Sequence, residues 1–123
     1  MSNVGVLFEI PNEYGNYLAD LLEPIQFTLY QWEVYYDEIH LIEDNKFTDD
    51  SLFNEEAKIM DGQQLYDIAK KNTYYLIFAT LIAYVGDENT KFIRYYQDFL
   101  DSNCEVVIGI SDCSYVMYWT KDS

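Results

Sequence analysis

Residues Thr73 to Val85, TYYLIFATLIAYV, form a run of thirteen residues without a charge, a glycine or a proline. Read as a strand, the run has two apolar faces. One face would contain Tyr74, Leu76, Phe78, Thr80, Ile82 and Tyr84. The other would contain Tyr75, Ile77, Ala79, Leu81, Ala83 and Val85. A buried helix is the alternative, but the β-branched and aromatic content and the stop at Gly86-Asp87 favour a strand. Since a strand with one wet face would alternate in polarity, this strand is expected to lie centrally in a sheet or to be covered on both sides.

The first half of the chain is predicted to contain short elements around a hairpin. They are a strand at Val4–Ile10, a helix at Asn12–Leu22, a half-buried strand from Phe27 to Asp37, a hairpin around Tyr36–Glu38 and a strand at Glu38–Glu43. The polar residues from Asp44 to Asp61 are interpreted as a solvated connection with a short helical turn near Asn54–Ile59.

The second half supplies the remaining elements. Asp61 is placed as the cap of a helix that ends at Lys70-Lys71, helical turns are expected over Tyr95–Asp101, and Cys104–Ile110 with Tyr115–Lys121 form a closing hairpin. The order β-α-β-β-α-β-α-β-β predicts a single α+β domain over residues 1–123. We expect a mostly antiparallel sheet of about five or six strands with two or three helices on one face, and Tyr115–Lys121 as a candidate edge strand.

The charge of the chain is strongly unbalanced. It carries 22 Asp and Glu against 7 Lys and Arg, a formal net charge of −15. This charge argues against nucleic acid and anionic membrane as direct ligands, and it favours a basic protein surface, such as that of an enzyme, as the partner. The oligomeric state stays open at this level.

Two further features bear on the compartment. The N-terminus has no basic region before its short apolar run, and the uncharged run at Thr73 is too short to span a bilayer, so a cytoplasmic protein is expected. Cys104 and Cys113 lie nine residues apart, which places them about 30 Å apart along an extended chain, and two free thiols are predicted.

The sequence carries no recognisable catalytic, metal or cofactor motif. His40 is the only histidine, and no serine or cysteine motif stands beside it. Asp44 to Glu55 offers several oxygen ligands, but it lacks the glycine and the spacing of a calcium loop. The five glycines are isolated, so no phosphate-binding loop is formed. A non-enzymatic protein without a cofactor is expected.

The acidic and tyrosine-rich middle of the chain is the candidate partner-binding surface. Between Asp37 and Asp61 there are nine acidic residues against Lys46 and Lys58. The predicted partner-binding residues are Glu33, Tyr35, Asp37, Glu38, Glu43, Asp44, Asp49 and Asp50. The pairs Tyr35-Tyr36, Tyr74-Tyr75 and Tyr95-Tyr96 would each send one ring inward and one outward on an extended backbone. The competing interpretation is that these residues form an ordinary solvated face.

Four segments carry a resemblance to a known family. FEIPNEYG at residues 8–15, MDGQQL at 60–65, the YYLIF strand and the closing CEVVIGISDCSYV are similar to small acidic domains of unknown function from low-GC Gram-positive bacteria and their prophages. The resemblance covers most of the chain and implies no catalytic residues. The implied setting is compatible with immunity proteins and phage anti-defence inhibitors, which is an association rather than a chemical signature.

Three function classes follow from these features. The first hypothesis is an acidic binding protein that inhibits or neutralises a protein partner, such as a toxin or a bacterial defence enzyme. The alternatives are a DNA mimic that titrates a nucleic-acid-binding protein, and an enzyme or small-ligand-binding regulatory domain. A DNA mimic would need carboxylates spaced like phosphates, and a ligand-binding domain would need a pocket that the sequence does not reveal.

Overall fold

The computed structural model describes residues 3–53, 59–85 and 96–121, excluding the side chains of residues 3, 4, 35 and 36. Its elements are β1 (Asn3–Glu9), α1 (Tyr17–Leu22), a 3₁₀ turn (Phe27–Leu29), β2 (Gln31–Glu43), β3 (Lys46–Ser51), β4 (Ile59–Asp61), α2 (Gly62–Lys71), β5 (Tyr74–Tyr84), α3 (Tyr96–Leu100), β6 (Cys104–Ser111) and β7 (Tyr115–Lys121). The seven described strands pair antiparallel in the order β1-β7-β6-β5-β2-β3, and the short β4 pairs with the start of β2. The predicted α+β class is confirmed.

The strand predicted from the uncharged run is β5, and it lies inside the sheet between β6 and β2. One face of the sheet packs against α1 and α2 through a large core that includes Leu18, Leu65, Leu81 and Ile108. On the other face, Phe99 of α3 packs in a smaller core of Ile82, Tyr84, Cys104 and Val107. β5 is therefore covered on both faces at its C-terminal half, whereas Phe78 nearer its start is 40% exposed.

The hairpin predicted around Tyr36–Glu38 is wrong, because β2 runs unbroken through these residues. A register shift against β5 lies between Tyr35 and Glu38. Before this shift the buried residues of β2 have even numbers, Trp32 and Val34, and after it Ile39 is buried. All three belong to the same core. A β-bulge inserts a residue and reverses the alternation of side chains without reversing the strand. The change of phase in the sequence therefore marks a bulge and not a turn.

A second irregularity corrects the faces assigned to β5. The register between β2 and β5 shifts again between Glu38 and Ile39, which pair with Phe78 and Leu76. The extra residue is Ile77, whose carbonyl accepts a hydrogen bond from the Cys113 amide at 3.0 Å. As a result, Tyr74 and Leu76 share a core with Ala79, Leu81 and Ala83 instead of with Ile82 and Tyr84.

The polar connection is more ordered than the sequence indicated. It contains β3 and β4, and residues 54–58 of the predicted helical turn lie outside the described residues. The loop at residues 86–90 and the segment at 91–94 also lie outside them. The first helix begins at Tyr17 instead of Asn12, because Gly15 pairs with Tyr74 through backbone hydrogen bonds of 2.9 and 3.1 Å.

The second helix is confirmed together with its cap. The Asp61 side chain accepts a hydrogen bond from the Gln64 amide at 2.8 Å, and Lys70 and Lys71 occupy the last turn of α2. The Asp61 carboxylate at the N-terminus and the two lysines at the C-terminus of α2 complement the helix dipole. Gly62 is required by close packing, because a Cβ atom there would lie 1.8 Å from the Phe27 carbonyl oxygen.

The closing hairpin is also confirmed, but β7 is not an edge strand. β7 pairs with β6 on one side and with β1 on the other. The edges of the described sheet are therefore β1 and β3. Cys104 is buried and Cys113 is half-buried, and no disulfide joins them, as predicted. Burial raises the pKa of the Cys104 thiol.

Candidate functional site

The acidic middle of the chain is built on the β2–β3 hairpin at one edge of the sheet. Asp44 and Asn45 form its turn with φ angles of 52° and 62°, and Glu43 pairs with Lys46 on either side. A two-residue turn with both central φ angles positive has the type I′ pattern, and Asp and Asn tolerate such angles. The sequence contains this turn signal as Asp44-Asn45, within the segment predicted to be a solvated connection.

A large bulge in β3 carries two of the acidic residues outward. His40 pairs with Ser51 and Ile42 with Phe47, so that Thr48, Asp49 and Asp50 lie opposite Leu41 alone. The Thr48 hydroxyl donates to the Leu41 carbonyl at 2.6 Å and accepts from the Asp50 amide at 3.2 Å, which holds the bulge. The carboxylates of Asp49 and Asp50 are exposed. Bulges and charges of this kind also protect an edge strand from pairing with another chain.

His40 is half-buried within this hairpin and bonds locally. Its Nδ1 lies 3.0 Å from the Thr48 carbonyl oxygen, which can only accept, so Nδ1 carries a proton. Its Nε2 lies 3.2 Å from Glu38 Oε2, an ion pair when the imidazole is protonated. Its ring packs on Phe47 with a centroid distance of 4.5 Å. These contacts position a histidine that joins the two strands of the hairpin.

Aromatic rings continue from this hairpin across the sheet. Phe47 is 48% exposed and lies 6.4 Å from the Tyr75 ring, which in turn meets Tyr14 edge-on at 5.7 Å. Together with Asn12 and Glu13 these three rings line a shallow pocket of about 500 Å³. The Tyr75 hydroxyl donates to Asn12 Oδ1, and a hydrogen bond with the Cys113 thiol raises the pKa of Tyr75. We call the exposed acids of the hairpin and these rings the hairpin surface.

The structure separates the predicted partner-binding residues into two groups. Five of them are exposed on the hairpin and belong to the hairpin surface, namely Glu38, Glu43, Asp44, Asp49 and Asp50. Glu33 and Asp37 are half-buried, and the Tyr35 side chain lies outside the described part of the chain. Glu33 pairs with Ile82 of the smaller core, so this end of β2 is less accessible to a partner than the hairpin.

The predicted splitting of the tyrosine pairs is confirmed where it is described. Tyr74 is 1% exposed and its hydroxyl donates to the Ala69 carbonyl, whereas Tyr75 reaches the pocket beside Phe47. Burial raises the pKa of Tyr74. Tyr36 and Tyr95 lie outside the described side chains. The sequence thus indicated one ring of the hairpin surface, Tyr75, but not Tyr14 or Phe47, which reach it through tertiary contacts.

The side chains of the hairpin surface are carboxylates and aromatic rings. Within residues 3–53, 59–85 and 96–121, no group of three or more His, Cys, Asp or Glu side chains is arranged to hold a metal ion. Exposed rings beside carboxylates can contact the aliphatic and cationic parts of Lys and Arg side chains.

No helix in the described part of the chain has the length and apolar character needed to cross a membrane.

Comparison with known proteins assigns the chain to a family. The family model described as protein of unknown function DUF2691 matches residues 3–123. The uncharacterized protein YncE of Bacillus subtilis (strain 168) is 36% identical over 120 residues, which cover 98% of this chain and 77% of YncE. No solved structure matches the chain. The chain therefore belongs to the DUF2691 family of proteins of unknown function.

Proposed function

We propose that this protein is a non-enzymatic acidic binding protein that inhibits or neutralises a basic protein partner, such as a toxin or a bacterial defence enzyme. The observation that carries the proposal is the hairpin surface, where exposed carboxylates of β2 and β3 share a hairpin with the exposed ring of Phe47, which lies beside Tyr75. The net charge of −15 adds long-range attraction for a basic partner.

The two kinds of side chain would act at different stages of binding. The carboxylates of Asp49 and Asp50 would accelerate encounter with a basic surface through long-range attraction, which salt screens. The rings of Phe47 and Tyr75 would then provide contact area with little loss of side-chain entropy. Such a protein inhibits an enzyme by covering its active site, and it needs no catalytic residues of its own.

The setting we propose is a small acidic protein of Gram-positive bacteria or their prophages. The Bacillus relative supports the bacterial part of this setting. Immunity proteins and phage anti-defence inhibitors are small, bind one enzyme and act without cofactors, which fits a single α+β domain. The action proposed here would take place in the cytoplasm.

The experiment is a pull-down from bacterial lysate with the tagged protein at low and then moderate salt, followed by mass spectrometry. The matched variant is Asp49→Lys with Asp50→Lys, and the control is Asp98→Lys with Asp101→Lys, which makes the same charge change on and beside α3. The proposal would be supported by recovery of one enzyme in stoichiometric amount. Salt should release this enzyme, the protein should inhibit it, and only the hairpin variant should fail to recover it. Equal loss in both variants would contradict a role for the hairpin surface.

The same experiment separates the proposal from a DNA mimic. A mimic would recover several DNA-binding proteins, and added DNA would displace all of them. An inhibitor of one enzyme would keep its partner when DNA that the enzyme does not bind is added. Recovery of a DNA-displaced set would therefore replace the inhibitor hypothesis with the mimic.

A further inference from the structure

The opposite edge of the sheet, β1, differs from the hairpin edge in having exposed apolar side chains. Leu7 is 73% exposed and Val6 is 46% exposed. β1 pairs with β7 in unbroken register from Asn3 to Glu9, and no described strand pairs with its other side. An edge strand of this kind presents a free row of backbone donors and acceptors.

A single hydrogen bond identifies which backbone groups of β1 point outward. The Ile10 amide donates to the Ser114 carbonyl at 2.8 Å, so Ile10 faces β7. Backbone groups alternate in direction along a strand, and the regular register therefore turns Val6 and Phe8 toward β7 as well. The amides and carbonyls of Gly5, Leu7 and Glu9 point away from the sheet.

A groove lies beside this edge, on the face that carries α1. It has a volume of about 620 Å³ and separates β1 from α1. Its apolar wall includes Val6, Phe8, Ile10, Tyr17, Leu21 and Ile25. A strand added to β1 would place every second side chain in this groove, and the side chains between them would lie beside Leu7 on the other face.

Charge distinguishes between the possible occupants of the groove. Asp20 is the one charged residue among those lining the groove, and the exposed Glu9 lies with Leu7 on the other face of β1. A second copy of this chain would bring its own net charge of −15 to the same edge. Mutual repulsion disfavours that pairing, whereas a cationic segment would gain from the same carboxylates.

We propose that the outer edge of β1 and the groove beside α1 bind an extended peptide segment of another protein by strand addition. The segment has apolar side chains at alternate positions and basic side chains between or beside them. Its backbone pairs with Gly5, Leu7 and Glu9, and its apolar side chains fill the groove. This site lies on the far edge from the hairpin surface and does not depend on the function proposed above.

The test uses amide hydrogen exchange of the isotope-labelled full chain, measured by NMR. The probe is a pool of synthetic seven-residue peptides, matched to the length of β1, with Val, Ile or Leu at alternate positions and Lys or Thr between them. In the free protein the outward amides of Gly5, Leu7 and Glu9 exchange fast, and those of Val6 and Phe8 exchange slowly. With the peptide pool present, we expect exchange at the three outward amides to slow by about tenfold or more.

Two controls test the backbone pairing itself. The variant Leu7→Pro removes an outward amide that does not bond to β7, and Pro is tolerated on an edge strand, so the fold is expected to persist. It should weaken peptide binding by about tenfold, whereas Leu7→Ala, which keeps the amide, should weaken it by about threefold or less. Two peptide sets can be N-methylated, one at the odd and the other at the even positions. Only the set whose methylated amides would face β1 should lose binding.

Three results would overturn the proposal. The first is unchanged exchange of the outward amides at peptide concentrations up to about 1 mM, well above the weak end of peptide affinities. The second is equal protection of all β1 amides, insensitive to Leu7→Pro, which would indicate an apolar ligand in the groove without strand addition. The third is protection of the outward amides without peptide that increases with protein concentration, which would identify a second copy as the occupant.

Discussion

The two edges of the sheet solve the same physical problem in opposite ways. β3, the edge in the acidic hairpin, has a bulge that displaces Thr48, Asp49 and Asp50 from the ladder. β1, the other edge, pairs without a bulge and exposes Val6 and Leu7. No described strand pairs with the outer side of either edge, but only β3 carries the charges and distortion that disfavour pairing with another chain.

The negative charge of this protein is distributed unevenly between the two edges. The hairpin edge carries five exposed acidic residues, whereas Asp20 is the one charged residue that lines the groove beside β1. The β3 edge is suited to contacts between side chains, with long-range attraction and aromatic contact area. The β1 edge is suited to contacts through the backbone.

The largest expected effect concerns the alternation along β1. Val6→Pro removes an amide that faces β7, and it should lower the free energy of unfolding by about 3 kcal/mol. The neighbouring Leu7→Pro removes an outward amide and should lower it by about 1 kcal/mol or less. Chemical denaturation of both variants measures the difference. Equal losses would show that the outward amides of β1 are already paired in the free protein.

The next effect concerns the tyrosine that joins β7 to α1 beside the groove. The Tyr118 hydroxyl donates to the Leu21 carbonyl, so Tyr118→Phe should lower the free energy of unfolding by about 1 kcal/mol at neutral pH. Burial raises the pKa of Tyr118 from 10.0 to about 12. The folded state therefore favours the protonated phenol, and this stabilisation is present below pH 10 and is lost as the pH rises toward 12.

The measurement is the free energy of unfolding from pH 8 to 12 for wild type and Tyr118→Phe, with Tyr115→Phe as the control. Tyr115 is 45% exposed, so its substitution should change little. The gap between wild type and Tyr118→Phe should close above pH 10 and then reverse, because a pKa raised to about 12 outweighs a hydrogen bond worth about 1 kcal/mol. A constant gap across this range would contradict the assignment.

A smaller effect is expected at the bulge of β3. Thr48→Val removes the hydroxyl that bonds the Leu41 carbonyl and the Asp50 amide, and it should cost about 0.5 to 1 kcal/mol of unfolding free energy. Thr48→Ser keeps the hydroxyl and serves as the control. Amide exchange at Asp50 should become faster in the valine variant alone. Unchanged exchange would mean that the backbone of the hairpin holds the bulge without this side chain.

The smallest effect concerns charge at the β3 edge. Asp49→Lys with Asp50→Lys should raise the free energy of unfolding by about 0.5 kcal/mol at low salt, because it relieves repulsion within a chain of net charge −15. The gain should decline as salt is added, since these side chains are exposed and screened. Thermal unfolding at two salt concentrations tests this expectation. A gain independent of salt would indicate a local structural cause.

Elements defined by local signals could be predicted from the sequence. Asp61 caps α2 through its own side chain, and Lys70-Lys71 lie at the end of that helix, so neighbours in sequence suffice to identify it. Part of the hairpin surface could also be predicted from the sequence. The exposed acids of the hairpin followed from composition, whereas the approach of Phe47, Tyr75 and Tyr14 from separate segments did not.

Irregular strands and their edges could not be predicted. The phase changes at Tyr35–Glu38 and at Ile77 arise from bulges that are supported by partners distant in sequence, such as the Cys113 amide that bonds the Ile77 carbonyl. An inserted residue and a hairpin give the same change of alternation in a single strand, so only the pairing partner distinguishes them.

Local composition was enough to identify β5 as an interior strand, because a run of thirteen uncharged residues favours burial, although Phe78 and Val85 remain exposed. The capped helix α2, the closing hairpin and the acidic composition also followed from the sequence. Long-range pairing alone showed that β1 and β3 are the edges of the described sheet, that β7 is internal, and that a groove opens beside α1. The reason is that burial is a property of local composition, whereas an edge exists only where long-range pairing stops.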